Sequence, residues 1–266
     1  EANVGRGKRE AGSPSKLTVA LQPSSWQGKG WIKLIGLSAD LLYNASVISV
    51  ILARPENSEN IGLVARAMKN TGFKDLRLAG VKKIGDRAFK TAVHAEDILK
   101  DAQRYPDLDA ALADLHIVFA ATAKARTNFP SLTFEEALDR MRAYPPSMRV
   151  GLLFGNERTG LTSEEMRRSN FRFTIPQASR QPSYNLAAAV LLTLFPLFRS
   201  PLPAPAGTTA KPLPRKDQDE CIRRILSILK ARGFMHQTNQ THVTEMIYDL
   251  FGRLAITDKD RRLLLA

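Results

Sequence analysis

Three segments of the chain carry Asn, Glu, Arg, Ser and Gly at spacings that could do chemistry. The first is Pro55-Glu56-Asn57-Ser58-Glu59-Asn60-Ile61-Gly62-Leu63-Val64-Ala65-Arg66, which follows a β-branched run and opens a helical pattern. The free N–H groups and positive dipole end of such a helix suit an anionic group. Gly62 and Arg66 are four apart, hence on one helix face. A residue without a side chain beside a guanidinium would let another chain or a substrate backbone approach. An ordinary capped helix with a surface Arg accounts for the same residues. The second segment is Leu152-Leu153-Phe154-Gly155-Asn156-Glu157-Arg158-Thr159-Gly160-Leu161. Here a buried strand runs into a turn bracketed by glycines, at the strand end where open α/β sheets bind ligands. A plain loop with turn glycines is the simpler account. The third runs from Ile175-Pro176 through Ser183-Tyr184-Asn185 into Leu186-Ala187-Ala188-Ala189-Val190. Asn185 is a helix N-cap candidate. The helix after it is apolar on every face, so it is a core helix or is buried partly against a second subunit. Pro196 should kink or end it.

The elements around these segments alternate. Short apolar runs at Val47–Leu52, Leu76–Leu78, Ile117–Ala120, Arg149–Phe154 and Phe171–Ile175 read as strands. Ile61, Val64, Ala65 and Met68 mark one helix face, and helices are expected at 88–100, 107–113, Phe134–Arg142, Glu164–Arg168 and Asn185–Phe198. This order predicts an α/β domain with a parallel sheet. The first βα turn lacks GxGxxG and the second segment is no P-loop, which disfavours a Rossmann oxidoreductase or a nucleotide hydrolase.

Taken together, NxxNIGxxAR, FGNExxGL and IP followed by SYNLxxAV resemble the three motifs of the SPOUT-class RNA ribose 2′-O-methyltransferases, in the TrmH/TrmJ branch. The resemblance covers about Val47 to Arg199. It extends loosely into 217–266, where Ile247-Tyr248-Asp249-Leu250-Phe251-Gly252-Arg253 and Leu254-Ala255-Ile256-Thr257 are similar to the helical extension of the TrmJ branch. It implies a sheet whose C-terminal segment is threaded into a trefoil knot, a rare exception among folds. It implies S-adenosylmethionine as cofactor, held by Ala121, Thr122, Ala123, Leu153, Phe154, Gly155, Asn156, Ile175, Pro176, Ser183 and Tyr184. A Cβ at Gly155 would then collide with the ligand. It implies a homodimer, with the helix after Asn185 as an interface element. The implied reaction is methyl transfer to a ribose hydroxyl, with Arg66 activating the hydroxyl through the substrate phosphate. A guanidinium with a pKa of about 12.5–13.8 is not a base at neutral pH. Asn60, Glu157, Ser183 and Asn185 would complete the catalytic set by positioning substrate and loops. Arg126, with Arg66, would contact RNA. Three positions depart from the pattern: Glu59 replaces a usual Gly, Pro182-Ser183-Tyr184 replaces Ser-Ser-Leu, and Ala121 replaces Thr. These bear on the substrate more than on the cofactor.

Composition agrees with this reading. The 266 residues hold 39 Lys+Arg against 26 Asp+Glu, a net charge of +13, and 44% hydrophobic residues. Such a chain can build a core, and its charge fits either solubility or a polyanionic partner such as RNA. One Cys excludes a disulfide scaffold, and the four His residues lack metal-ligand spacing, so no metal is expected. No apolar run is long enough to span a bilayer, and a cytoplasmic location is expected. The domain plan is a basic arm at 1–45, the methyltransferase domain at 46–199, a linker at 200–216 carrying Pro201, Pro203, Pro205, Pro212 and Pro214, and three helices within 217–266. The expected substrate is tRNA, in the anticodon-loop region. The alternatives are rRNA, or a catalytically silent knotted RNA-binding protein.

Overall fold

The computed structural model describes residues 48–123, 131–145, 147–178, 183–199, 211–236, 238–254 and 256–265. The arm expected at 1–45, most of the linker and Arg126 lie outside the described residues. Six strands form one parallel sheet: β1 (Ile48–Ala53), β2 (Asp75–Ala79), β3 (Gln103–Tyr105), β4 (Ile117–Ala121), β5 (Val150–Phe154) and β6 (Phe171–Phe173). Their order is β3-β2-β1-β5-β4-β6. β1 is buried throughout and pairs with β2 from Ser49↔Asp75 and with β5 from Ile48↔Val150. Strand alternation splits the core in two. Val50, Leu52, Phe119, Leu152 and Phe154 face one side, under α1 (Ser58–Thr71), α5 (Phe134–Ala143) and α7 (Leu186–Arg199). Ile51, Ala53, Val118, Ala120 and Leu153 face the other, with Leu112 of α4 (Leu108–Leu112) and Met166 of α6 (Ser163–Arg167).

Helix α1 begins where the Asn57 side chain accepts from Glu59 N at 2.9 Å. It ends at Gly72, whose φ of 81° puts it in the left-handed region that closes a helix. Ile61, Val64, Ala65 and Met68 are all buried, as their spacing predicts. Gly62 does not leave a gap for substrate. A Cβ there would stand 2.1 Å from both Ala88 O and Thr91 Oγ1, so the glycine admits α2 (Asp86–Ala92) against α1. The helix expected over 88–100 is two: α2 and α3 (Glu96–Asp101), separated by Val93 and His94 at φ 35° and 64°. Helix α7 continues through Pro196, so the proline does not end it. The Pro196 carbonyl instead accepts from Arg142 Nη2 at 2.9 Å.

Three further helices follow: α8 (Arg215–Ala231), α9 (Gln240–Arg253) and α10 (Asp258–Leu265). Thr257 N donates to Asp260 Oδ2 at 2.9 Å, the helix start that these residues signal in the sequence. The start of α8 is tied to the main body. Arg215 N donates to Leu115 O at 2.7 Å, and Gln218 Nε2 to His116 O at 3.3 Å. Leu213, Cys221, Ile222, Phe251 and Ile256 form their own small core.

Candidate active site

In a parallel sheet all carboxyl ends point the same way, so the loops that follow β1, β4, β5 and β6 converge on one rim. They enclose a cleft of about 600 Å³. Its walls are Asn60; Ala121, Thr122 and Ala123; Phe154 through Leu161; Ile175 and Gln177; and Ser183 through Leu186 with Ala189. All three chemistry-bearing segments reach it.

Glu157 is the node. Its carboxylate accepts from Glu56 N at 2.9 Å, from Asn57 N at 3.2 Å and from Asn60 Nδ2 at 3.0 Å. Burial alone would raise this carboxyl, but the Glu56 N–H, the Asn60 carboxamide and further backbone N–H groups hold it below its ordinary value. Asn60 in turn accepts from Asn185 Nδ2 at 3.0 Å. Asn185 Oδ1 accepts from Ala187 N at 2.9 Å and caps α7. One chain of hydrogen bonds therefore links all three segments.

The turn after β5 is fixed by Asn156. Its Oδ1 accepts from Arg158 N and Thr159 N at 2.9 and 3.1 Å, and its Nδ2 donates to Arg54 O at 2.8 Å. Arg54 sits at φ 51° and grips Glu165 through two hydrogen bonds of 2.6 and 2.8 Å, which bends the chain off the end of β1. Gly155 is required for a reason different from the one the sequence offered. A Cβ would meet the protein's own backbone, 2.4 Å from Gly160 C and Leu161 N. Tyr184 Oη donates to Pro176 O at 2.8 Å and pins one wall.

The sequence model of the SpoU rRNA Methylase family matches residues 47–195, more than half of the chain. The chain belongs to the SpoU rRNA Methylase family. Within and beyond that family, the chain is 37% identical over 158 residues to the tRNA (cytidine-2′-O-)-methyltransferase TrmJ of Methanocaldococcus jannaschii, covering 57% of this chain and 67% of that protein. It is 28% identical to the tRNA (cytidine/uridine-2′-O-)-methyltransferase TrmJ of Photorhabdus laumondii, over 77% of this chain and 88% of that protein. The crystal structure of TrmJ from Z. mobilis ZM4 matches with a TM-score of 0.73 at 28% identity, covering 82% of this chain and 96% of that one.

Most residues anticipated for this SpoU methylase line the cleft: Asn60, Glu157, Ser183, Asn185, Ala121, Thr122, Ala123, Phe154, Gly155, Asn156, Ile175 and Tyr184. Three described ones do not. Leu153 points through the sheet into the opposite core, as strand alternation requires. Pro176 contributes its carbonyl to Tyr184 and stays outside. Arg66 is exposed on α1 and, among the described residues, has no ion pair. Among the lining residues that sequence reasoning did not assign to the site are Arg158, Thr159 and Gln177. For Arg158 and Thr159 the signal was present, because they fill the turn between Gly155 and Gly160.

The cleft fits the methyl donor of this SpoU methylase. Its volume falls in the range of about 300–1,000 Å³ for small-molecule sites. Ala121, Ala123, Gly155 and Gly160 expose backbone on its walls, while Phe154, Leu161, Ile175 and Leu186 supply apolar surface for a base. The described residues contain no group of His, Cys, Asp and Glu able to hold a metal, and none of their helices is long and apolar enough to cross a membrane.

Proposed function

We propose that the protein is an S-adenosylmethionine-dependent tRNA ribose 2′-O-methyltransferase acting in the anticodon loop, as a cytoplasmic homodimer with a trefoil-knotted catalytic domain. The observation that carries this reading is the Glu157–Asn60–Asn185 chain of hydrogen bonds, which closes a donor-sized cleft from the three family motifs. The TrmJ relatives, whose names specify tRNA 2′-O-methylation, support the substrate. The match to Z. mobilis TrmJ reaches well beyond the length of the family match, which supports a TrmJ-type target.

When bound, S-adenosylmethionine supplies an electrophilic methyl group on a sulfonium. The residues of this chain hold the reacting groups. The small residues of 121–123 and the 155–160 turn present backbone groups to the donor. Asn185 and Ser183 stand at the wall where a ribose would enter. Positioning of this kind can supply several kcal/mol of a barrier. Arg66 stabilises, through the neighbouring phosphate, the charge that develops as the 2′-hydroxyl oxygen takes the methyl group and releases its proton to water.

Dimerisation is supported by an apolar stripe. Leu191, Leu192 and Phe195 of α7 are 39–49% exposed, and Leu63 of α1, which packs along α7, is 37% exposed. A homodimer on this stripe would bring Arg66, three residues beyond Leu63, close to the interface.

Incubation with labelled S-adenosylmethionine and unmodified tRNA, followed by mapping of 2′-O-methyl sites, tests the reading. A single methylated ribose in the anticodon loop is expected. Methylation of rRNA alone, or none at all, would overturn it.

A further inference from the structure

Among the described residues, the charged side chains that line the cleft are Glu157 and Arg158. Glu157 is already engaged by three donors from the loop after β1 and the first turn of α1, which tie it to the protein's own backbone and to Asn60. Arg158 is different. Its backbone is locked by the Asn156 side chain, and the turn that carries it is closed by Gly160 N donating to Asn156 O at 2.8 Å. Its guanidinium projects from that rigid turn and remains 74% exposed. It meets Glu56 at 3.4 Å, and Glu56 is itself 51% exposed, so the pair is long and solvated. A pair of this kind is worth little and is readily exchanged. An anion that offers two oxygens in a plane matches the guanidinium fork better than this contact does.

We propose that Arg158 is a phosphate-binding residue of the RNA site: on docking, its guanidinium leaves Glu56 and takes the backbone phosphate beside the reacting ribose. Its place at the rim favours a phosphodiester, which must stay outside the cleft while its ribose enters. A carboxylate of the methyl donor would lie within the cleft. Glu56 then acts as a mobile counter-charge. It holds Arg158 extended when RNA is absent, while its backbone N–H stays on Glu157. The inference rests on the methyltransferase reading above.

The test uses the full chain with unmodified tRNA, comparing wild type, Arg158→Ala, Arg158→Lys and Glu56→Gln. Arg158→Ala is expected to raise KM for tRNA about tenfold with a much smaller change in kcat, and to reduce the log–log salt slope of tRNA binding by about one. Arg158→Lys should recover part of the loss, and Glu56→Gln should lower KM. The Kd for S-adenosylmethionine, measured by calorimetry, should not move. An unchanged KM and salt slope in Arg158→Ala would overturn the proposal, as would a weaker S-adenosylmethionine Kd with tRNA binding intact. Failure of the wild-type protein to methylate tRNA would instead count against the function itself.

Discussion

Asn185 donates its side-chain N–H to the Asn60 carbonyl oxygen at 3.0 Å, joining residues 125 positions apart. The same Asn60 side chain donates to Glu157, so it must both accept and donate. Asp at position 60 can still accept from Asn185 but has no proton for Glu157. Two carboxylates would then face each other at hydrogen-bond distance. Asn60→Asp should destabilise the fold by about 1–3 kcal/mol at neutral pH and weaken S-adenosylmethionine binding. The deficit should shrink as pH falls toward about 5, because one shared proton restores the missing donor. Urea unfolding at the two pH values measures this. A deficit that stays constant would exclude a direct carboxylate clash.

Glu157 gives a second pH signature. Its carboxyl is held below the ordinary 4.5, so its ionised form is favoured by folding. That contribution is fully present above about pH 4.5 and is lost as pH falls through the lower folded value. Comparing Glu157→Gln with wild type should therefore show a stability gap that is level from neutral pH to about 5 and closes in stronger acid. Thermal unfolding across that range checks the sign. A gap that widens in acid would contradict the hydrogen-bond set described for this carboxylate.

Gly155 and Gly160 bracket one turn but should respond differently to Ala. At Gly155 the added carbon meets backbone at 2.4 Å, which cannot yield without moving the turn. At Gly160 nothing lies within 4 Å, and the only penalty is its φ of 67°. Gly155→Ala should cost about 1–3 kcal/mol and abolish S-adenosylmethionine binding. Gly160→Ala should cost about 1–2 kcal/mol and weaken binding only modestly. Calorimetric titration of each variant separates the two.

Arg66 is exposed and, among the described residues, unpaired, so its removal should leave the fold untouched. Arg66→Ala is expected to lower kcat on the order of 100-fold or more, with unchanged unfolding and unchanged S-adenosylmethionine Kd. Methyl transfer at the wild-type rate would remove Arg66 from the reaction.

The legible parts of this protein were those whose physics is local. The face of α1 could be read because burial there follows a 3.6-residue period, and β1, β4 and β5 because they are buried on both faces. Strand β3 escaped because Gln103-Arg104-Tyr105 sits at a sheet edge and carries no apolar pattern. The break between α2 and α3 escaped because it uses Val93 and His94 at positive φ, where Gly would be the usual signal. In the site, the motifs identified most of the lining but not its geometry. Leu153 lies in a motif and yet faces away, because only every second strand residue can face one side. The role of Gly155 depended on the position of Leu161, a contact that residue types alone do not reveal.

The pairing of β1 with β5 has a consequence for biosynthesis. Ile48 finds its partner Val150 only after about a hundred further residues have been made. Until then one edge of the Ile-Ser-Val-Ile-Leu-Ala strand is open, with β2 covering only the other. Such a strand is short, uncharged and β-prone, the composition that aggregates when its edge is left unpaired. The long-range closure also makes folding slow. The nascent chain is therefore most vulnerable while the segments that will become its cleft are still unjoined.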